Sequence, residues 1–181
     1  MKFEFDQGWL RPCRHEPSPH KNDRPNAEVS LLVIHNISLP AGCFGGEHID
    51  ALFKGCIDAD AHPSFQELVG LEVSAHFLIR RDGQVTQYVS CDDRAWHAGV
   101  SEFQGRQQCN DFSIGIELEG ADDIDYTCQQ YSQLQRLTLA LLEQYPMLDS
   151  NRIVGHSDIA PGRKTDPGLS FDWPRYLKSL A

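Results

Sequence analysis

The chain has 181 residues, with 16 Lys and Arg against 26 Asp and Glu, a formal net charge of -10, 40% apolar residues and 23% charged residues. Such a length suits one domain that buries roughly 70% of its unfolded surface and is short for two, so residues 1–181 are read as a single domain. The acidic balance argues against a nucleic-acid or anionic-membrane surface as the main partner, and the apolar content against a disordered tail. A small anionic ligand met by a local basic cluster stays open.

The opening stretch MKFEFDQGWLRPC carries Lys2, Glu4 and Asp6 and has no apolar core of signal-peptide or membrane-span length, which predicts a cytoplasmic protein. Through residue 27 the chain is punctuated by Pro12, Pro17, Pro19 and Pro25, and reads as an ordered wrap or a loop without periodicity. SLLVIHN (30–36) is an apolar strand ending at His35, followed by a Gly-rich loop. A weak helical period covers Ile49, Leu52 and Phe53, and DADAHPSFQELVGL after it is polar and proline-interrupted. SAHFLIR (74–80) and QVTQYVS (84–90) flank Asp82-Gly83, a hairpin signal. DRAWHAG places Trp96 and His97 at a strand exit. In FSIGIELEG (112–120), Ile114, Ile116 and Leu118 alternate with Gly115, Glu117 and Glu119, so two acids share one face of an apolar strand. The clearest helix starts at Thr127, with Gln130 placed for a capping box, and buries Tyr131, Leu134, Leu137, Leu141, Leu142 and Tyr145 before Pro146 ends it. RIVGH (152–156) is a last strand. A short helix capped by Asp172 closes the chain, with Tyr176, Leu177 and Leu180 inward. Strands separated by helical segments, with one antiparallel hairpin, predict an α/β fold with a mixed sheet.

The six cysteines are irregularly spaced and include no CxxC pair, which in a chain without a secretion signal reads as reduced thiols. Three strands end at or contain residues of catalytic type: His35, Glu117 and His156. Asp166 lies ten residues beyond His156 on a loop bent by Pro161, Gly162, Pro167 and Gly168. Two imidazoles and a carboxylate can form a three-ligand zinc site with the fourth position left for water. Residue types alone do not single out this triplet. The chain has eight histidines and no HExxH; His20, His48, His62 and His97 lie near turns, and His76 suits a backbone contact. There is no GxSxG nucleophile turn.

LLVIHNISLP, VSAHFLIRRDG, RAWHAG, NDFSIGIELEG and GHSDIAPGRKTDPG together resemble the N-acetylmuramoyl-L-alanine amidase type 2 family, most closely its cytoplasmic 1,6-anhydro-N-acetylmuramoyl-L-alanine amidases of bacterial cell-wall recycling. The resemblance runs over nearly the whole chain, with the motifs in family order. It implies an α/β fold with a central mixed β-sheet flanked by helices, shared with T7-type phage lysozyme and the animal peptidoglycan-recognition proteins. It also implies one zinc ion per chain on His35, His156 and Asp166, with Glu117 and Lys164 as the catalytic pair, and so selects Glu117 over Glu119. T7-type members differ at two places: they carry a cysteine where this chain has Asp166 and a tyrosine where it has Ala75. Near relatives have an arginine where Gln108 stands.

The reaction so implied is hydrolysis of the amide between the lactyl group of the anhydro sugar and L-alanine, in small soluble anhydromuropeptides, with no nucleic acid, membrane or obligate protein partner. Asn36 is expected to bond the substrate's peptide, Trp96 and His97 to wall its groove, and Arg106, with Arg80, Arg81 and Arg163, to offer basic contacts. Two rivals are a non-catalytic peptidoglycan binder, which the full ligand set disfavours, and an exported amidase, which the charged amino terminus disfavours.

Overall fold

The computed structural model describes residues 2–181. Short strands order the stretch that has no sequence period: β1 (Glu4–Asp6) and β2 (Trp9–Arg11) form an antiparallel hairpin, followed by β3 (Arg14–His15) and β4 (Lys21–Asp23). β5 (Leu31–Ile37) is the predicted apolar strand, and α1 (His48–Phe53) buries Ile49, Leu52 and Phe53. The proline-interrupted stretch forms two 3-10 turns, Ala59–Ala61 and Pro63–Leu68, whose first N–H groups are accepted by the side chains of Asp58 and His62.

β6 (Phe77–Ile79) and β7 (Val85–Gln87) make the predicted antiparallel hairpin, each shorter than its apolar stretch. At its turn Asp82 Oδ1 accepts from the Gln84 N–H at 2.8 Å and Gly83 has φ 87°, a conformation that costs glycine little. β8 (Asp93–Ala95) pairs back with β4, and β9 (Glu102–Phe103) pairs with β10 (Arg106–Gln107). β11 (Ser113–Glu119) then crosses the middle of the molecule, buried along its whole length.

α2 (Cys128–Gln144) starts on the predicted capping box: Thr127 Oγ1 accepts from Gln130 N and Gln130 Oε1 accepts from Thr127 N, each at 3.1 Å. Such a cap contributes about 1 kcal/mol. Leu134, Leu137 and Leu141 are fully buried along its inner face, each contributing roughly 1.5–3 kcal/mol. β12 (Ile153–Gly155) runs directly into α3 (His156–Ile159), and α4 (Trp173–Lys178) closes the chain. Asp172 caps α4, accepting from Arg175 N at 2.9 Å. Tyr176 faces inward as predicted, whereas Leu177 is 39% exposed, because so short a helix turns only a narrow stripe to the core.

The main sheet has six strands in the order β12-β5-β11-β6-β7-β3. β12, β5, β11 and β6 are parallel and β7 is antiparallel to β6, which makes it the predicted mixed sheet. Alternation sorts its two faces. Leu32, Ile34, Ile114, Ile116 and Leu118 pack with α2 and with Phe171 and Tyr176 on one side. Leu31 and Val33 pack with Ala98, Phe112 and Ile159 of α3 on the other, where α1 also lies against Leu78 and Tyr88. Among the described residues no helix is long and apolar enough to cross a membrane.

Candidate metal centre and its cleft

Three adjacent parallel strands deliver polar groups to one level of the sheet. In register, His35 of β5 lies beside Glu117 of β11, and Gly155, the last residue of β12, lies beside Ile34, so His156 emerges next to His35. Because Ile34, Ile116 and Leu118 turn toward α2, His35 and Glu117 face the opposite side. Buried parallel strands hold such groups at their carboxyl ends, where open α/β sheets bind ligands.

The loop after α3 returns to this point. Asp158 Oδ2 accepts from Gly155 N at 2.7 Å, and Ala160 O accepts from both Arg163 N and Lys164 N. Asp166 O then accepts from Ser157 N at 3.0 Å, which draws Asp166 back beside His156. Gly155 makes room for this return, since a Cβ there would lie 2.8 Å from Pro167 Cδ.

The donor atoms converge. Nδ1 of His35 is 2.9 Å from Nδ1 of His156, and Asp166 Oδ2 is 3.1 Å from each. Nε2 of His156 donates to Ala98 O at 3.0 Å. Nε2 of His35 meets His97 Nδ1 at 2.9 Å, and His97 Nε2 meets Ser113 Oγ at 3.1 Å. One hydrogen on each Nε2 satisfies this whole chain and turns both Nδ1 lone pairs toward the carboxylate. Burial, with the neighbouring His156, lowers the His35 pKa to about 4, so its ring is neutral at physiological pH. Two imidazole nitrogens and a carboxylate oxygen, all within 4.8 Å of one another, fit a small divalent cation. Their separations are close to the roughly 3.3 Å edge that tetrahedral bonds of about 2.0 Å require.

Glu117 stands beside this set. It is 8% exposed, and its Oε2 is buried without a hydrogen-bond partner. Burial first, and then the charge of Asp166, push its pKa well above the ordinary glutamate value, against the pull of the Lys164 ammonium. A buried carboxylate oxygen left unpaired calls for a role beyond stability. Lys164 is exposed and borders two grooves. One, of about 570 Å³, is lined by Asn36, Ser38, Asp122, Thr165 and Asp166. The other, of about 720 Å³, has Leu169, Phe171 and Trp173 in its wall.

The family model for N-acetylmuramoyl-L-alanine amidase matches residues 25–169. The chain belongs to this family. It is 62% identical over 177 residues to the 1,6-anhydro-N-acetylmuramyl-L-alanine amidase AmpD of Salmonella typhimurium (strain SL1344), a match covering 97% of this chain and 94% of that protein. The crystal structure of a selenomethionine AmpD derivative superposes with a TM-score of 0.95 at 58% identity, covering 98% of this chain and 99% of that one. The amidase AmiD from E. coli, solved in complex with the substrate anhydro-N-acetylmuramic acid-L-Ala-D-gamma-Glu-L-Lys, superposes with a TM-score of 0.61 at 26% identity, over 98% of this chain and 65% of that one.

The other expected site positions fall in different places. Asn36 borders the smaller groove, where its Nδ2 donates to Asp122 Oδ1 at 2.8 Å. His97 is a partner of His35, and Gly115 leaves the sheet face open for its ring: a Cβ there would lie 2.5 Å from His97 Cγ. Trp96 is turned toward β4, its indole N–H donating to Asn22 Oδ1 at 2.7 Å and its ring lying near His20. Arg106 is engaged by both carboxylate oxygens of Glu28, at 2.8 and 2.9 Å, and stacks over Phe112. Arg80 is held by Asp50 and Glu119, and Arg163 donates to the carbonyls of Ala98 and Val100. Sequence reasoning missed Asp122, Asn110, Leu169 and Trp173. Only Gly115, which interrupts the alternating side chains of β11, left a signal.

Proposed function

We propose that this chain hydrolyses the amide bond between the lactyl group of 1,6-anhydro-N-acetylmuramic acid and L-alanine in small soluble anhydromuropeptides, acting in the cytoplasm during cell-wall recycling with one zinc ion per chain. The observation that carries the reading is the convergence of His35, His156 and Asp166 beside the unpaired Oε2 of Glu117. Family membership, and the substrate named for the E. coli AmiD complex, support the substrate class.

His35 Nδ1, His156 Nδ1 and Asp166 Oδ2 are the atoms that would hold the ion. When bound, zinc supplies Lewis acidity, acidifying water to a pKa near 7 and polarising a carbonyl oxygen. Glu117 takes the proton of the attacking water at its free Oε2 and passes it to the alanine nitrogen as the amide breaks. Burial, which raises its pKa, makes this carboxylate a stronger base toward the water proton than an exposed glutamate. Lys164 opposes the negative charge that develops on the carbonyl oxygen. Asn36, held by Asp122, offers its amide to the peptide stem.

The reading is tested with purified protein and defined anhydromuropeptides, following release of the free peptide by mass spectrometry. Chelation should abolish turnover, and about one equivalent of zinc should restore it. Full activity in demonstrably metal-free protein, or cleavage at any other bond, refutes the reading.

A further inference from the structure

The segment 97–98 reaches both metal-site histidines from behind. The His97 ring meets Nε2 of His35 at 2.9 Å, and the Ala98 carbonyl accepts from Nε2 of His156 at 3.0 Å. The Ala98 carbonyl can only accept and so puts the hydrogen of His156 on Nε2, and the His97 ring offers Nδ1 as acceptor for a hydrogen on Nε2 of His35, an arrangement that leaves both Nδ1 atoms for a metal. Outer partners of this kind orient metal-binding histidines, and losing one typically lowers metal affinity by about 10–100-fold.

One atom holds both backbone N–H groups of the segment. Oδ1 of Asn110 accepts from His97 N at 3.1 Å and from Ala98 N at 2.8 Å. Asn110 lies in the 3-10 turn Cys109–Asp111, and that turn is fixed from several sides. Arg24 Nη1 donates to the Asn110 and Asp111 carbonyls at 3.2 and 3.3 Å, Cys109 N donates to Ser101 Oγ at 3.2 Å, and the Asp111 carboxylate pairs with Arg94 of β8. From outside, Arg163 Nη2 donates to Ala98 O at 2.6 Å. The side chain of Asn110 therefore joins a rigid turn to the two residues that set both imidazoles.

We infer that Asn110 is a positioning residue for the metal centre: its single side-chain oxygen holds residues 97 and 98 where they keep His35 and His156 in the Nε2–H tautomer, with both Nδ1 lone pairs aimed at Asp166. This rests on the zinc reading of His35, His156 and Asp166. A carboxamide here is more than a packing element, because both of its acceptor bonds go to the two residues behind the ligands. Asn110→Ala removes the acceptor, whereas Asn110→Asp keeps an oxygen in the same place.

The experiment compares zinc affinity, by competition with a chromophoric chelator, and histidine tautomers, by long-range proton–nitrogen spectra, in wild-type protein, Asn110→Ala, Asn110→Asp and His97→Phe. Asn110→Ala should bind zinc about 10–100-fold more weakly, with both rings losing the uniform Nε2–H pattern. Asn110→Asp should stay within about threefold of wild type and keep the pattern, on the same outer-partner argument. His97→Phe should disturb His35 and leave His156 in place. If Asn110→Ala fails to fold, Asn110→Ser, whose shorter side chain cannot span both N–H groups, is read against Asn110→Asp in its place. Wild-type affinity with unchanged tautomers in Asn110→Ala, or an equal loss in Asn110→Asp, overturns the inference. Failure of the underlying zinc reading would appear differently, as absence of zinc binding by the wild-type protein.

Discussion

Glu117 and His35 are side-by-side partners on two parallel strands, β11 and β5, and their side chains point to the same face of the sheet. The histidine has a partner at each ring nitrogen, while the glutamate keeps one buried oxygen free. That asymmetry separates holding a metal from moving a proton. Glu117→Gln keeps the shape and removes the basicity, so kcat should fall by at least ~10² while zinc content stays at wild type. Steady-state kinetics with metal analysis on the same sample checks this; near wild-type kcat would remove Glu117 from the proton-transfer role.

Glu119 shares the strand and the face but not the role. It is 2% exposed, pairs with Arg80 at 3.4 Å, and accepts from Gly45 N at 2.6 Å and Arg81 N at 3.0 Å. It is a buried, salt-bridged tie between β11 and the loop around Gly45. Glu119→Gln should therefore cost about 1–3 kcal/mol of stability in denaturant titrations and leave zinc binding unchanged.

Lys164 is the cation that borders both grooves. Replacing it with Met removes the charge and retains most of the side-chain volume. A loss of about 2.7–4 kcal/mol of transition-state stabilisation is expected, that is, kcat lower by ~10²–10³, with zinc retained. A change confined to KM would make Lys164 a binding group only.

The pH dependence of stability provides a test on a residue outside the three metal-holding side chains. His76 is fully buried; its Nδ1 accepts from Gly115 N at 3.0 Å, and burial, reinforced by the Arg24 charge, holds its pKa well below the ordinary value of about 6.5. The unfolded chain therefore binds a proton there that the folded chain refuses. Its contribution to stability is complete above about pH 6.5 and is lost as pH falls from there toward the folded pKa. His76→Asn should make the fall in folding free energy below pH 6.5 shallower by up to about 1.4 kcal/mol per pH unit. An unchanged slope in urea titrations between pH 5 and 7 would show that His76 does not contribute.

Where local chemistry decides a structure, the sequence read clearly. The apolar runs of β5 and β11 and the reciprocal cap of Thr127 and Gln130 are short-range patterns, and Asp82-Gly83 carries its own turn. His35, His156 and Asp166 were candidates among many histidines until the family resemblance selected them, because their convergence depends on strand order. The strands of two and three residues near the amino terminus are too short to show a period, and β3 and β4 find their partners far along the chain, in β7 and β8. The contact of His97 with His35 is hidden for a related reason: it depends on the bare backbone of Gly115 on another strand. The partners of Glu119 are equally hidden, because nothing local announces Arg80, Arg81 and Gly45 around it.

His35 and His156 touch across adjacent strands although 121 residues separate them in the chain. A polypeptide emerging from a ribosome carries the first donor early and gains the other two only 121 and 131 residues later. The site thus cannot assemble before the central sheet has closed, and any premature cation on His35 alone would be held by one ligand. Metal uptake becomes a record of completed folding, and free zinc at a given concentration then favours finished molecules over partly built ones by mass action.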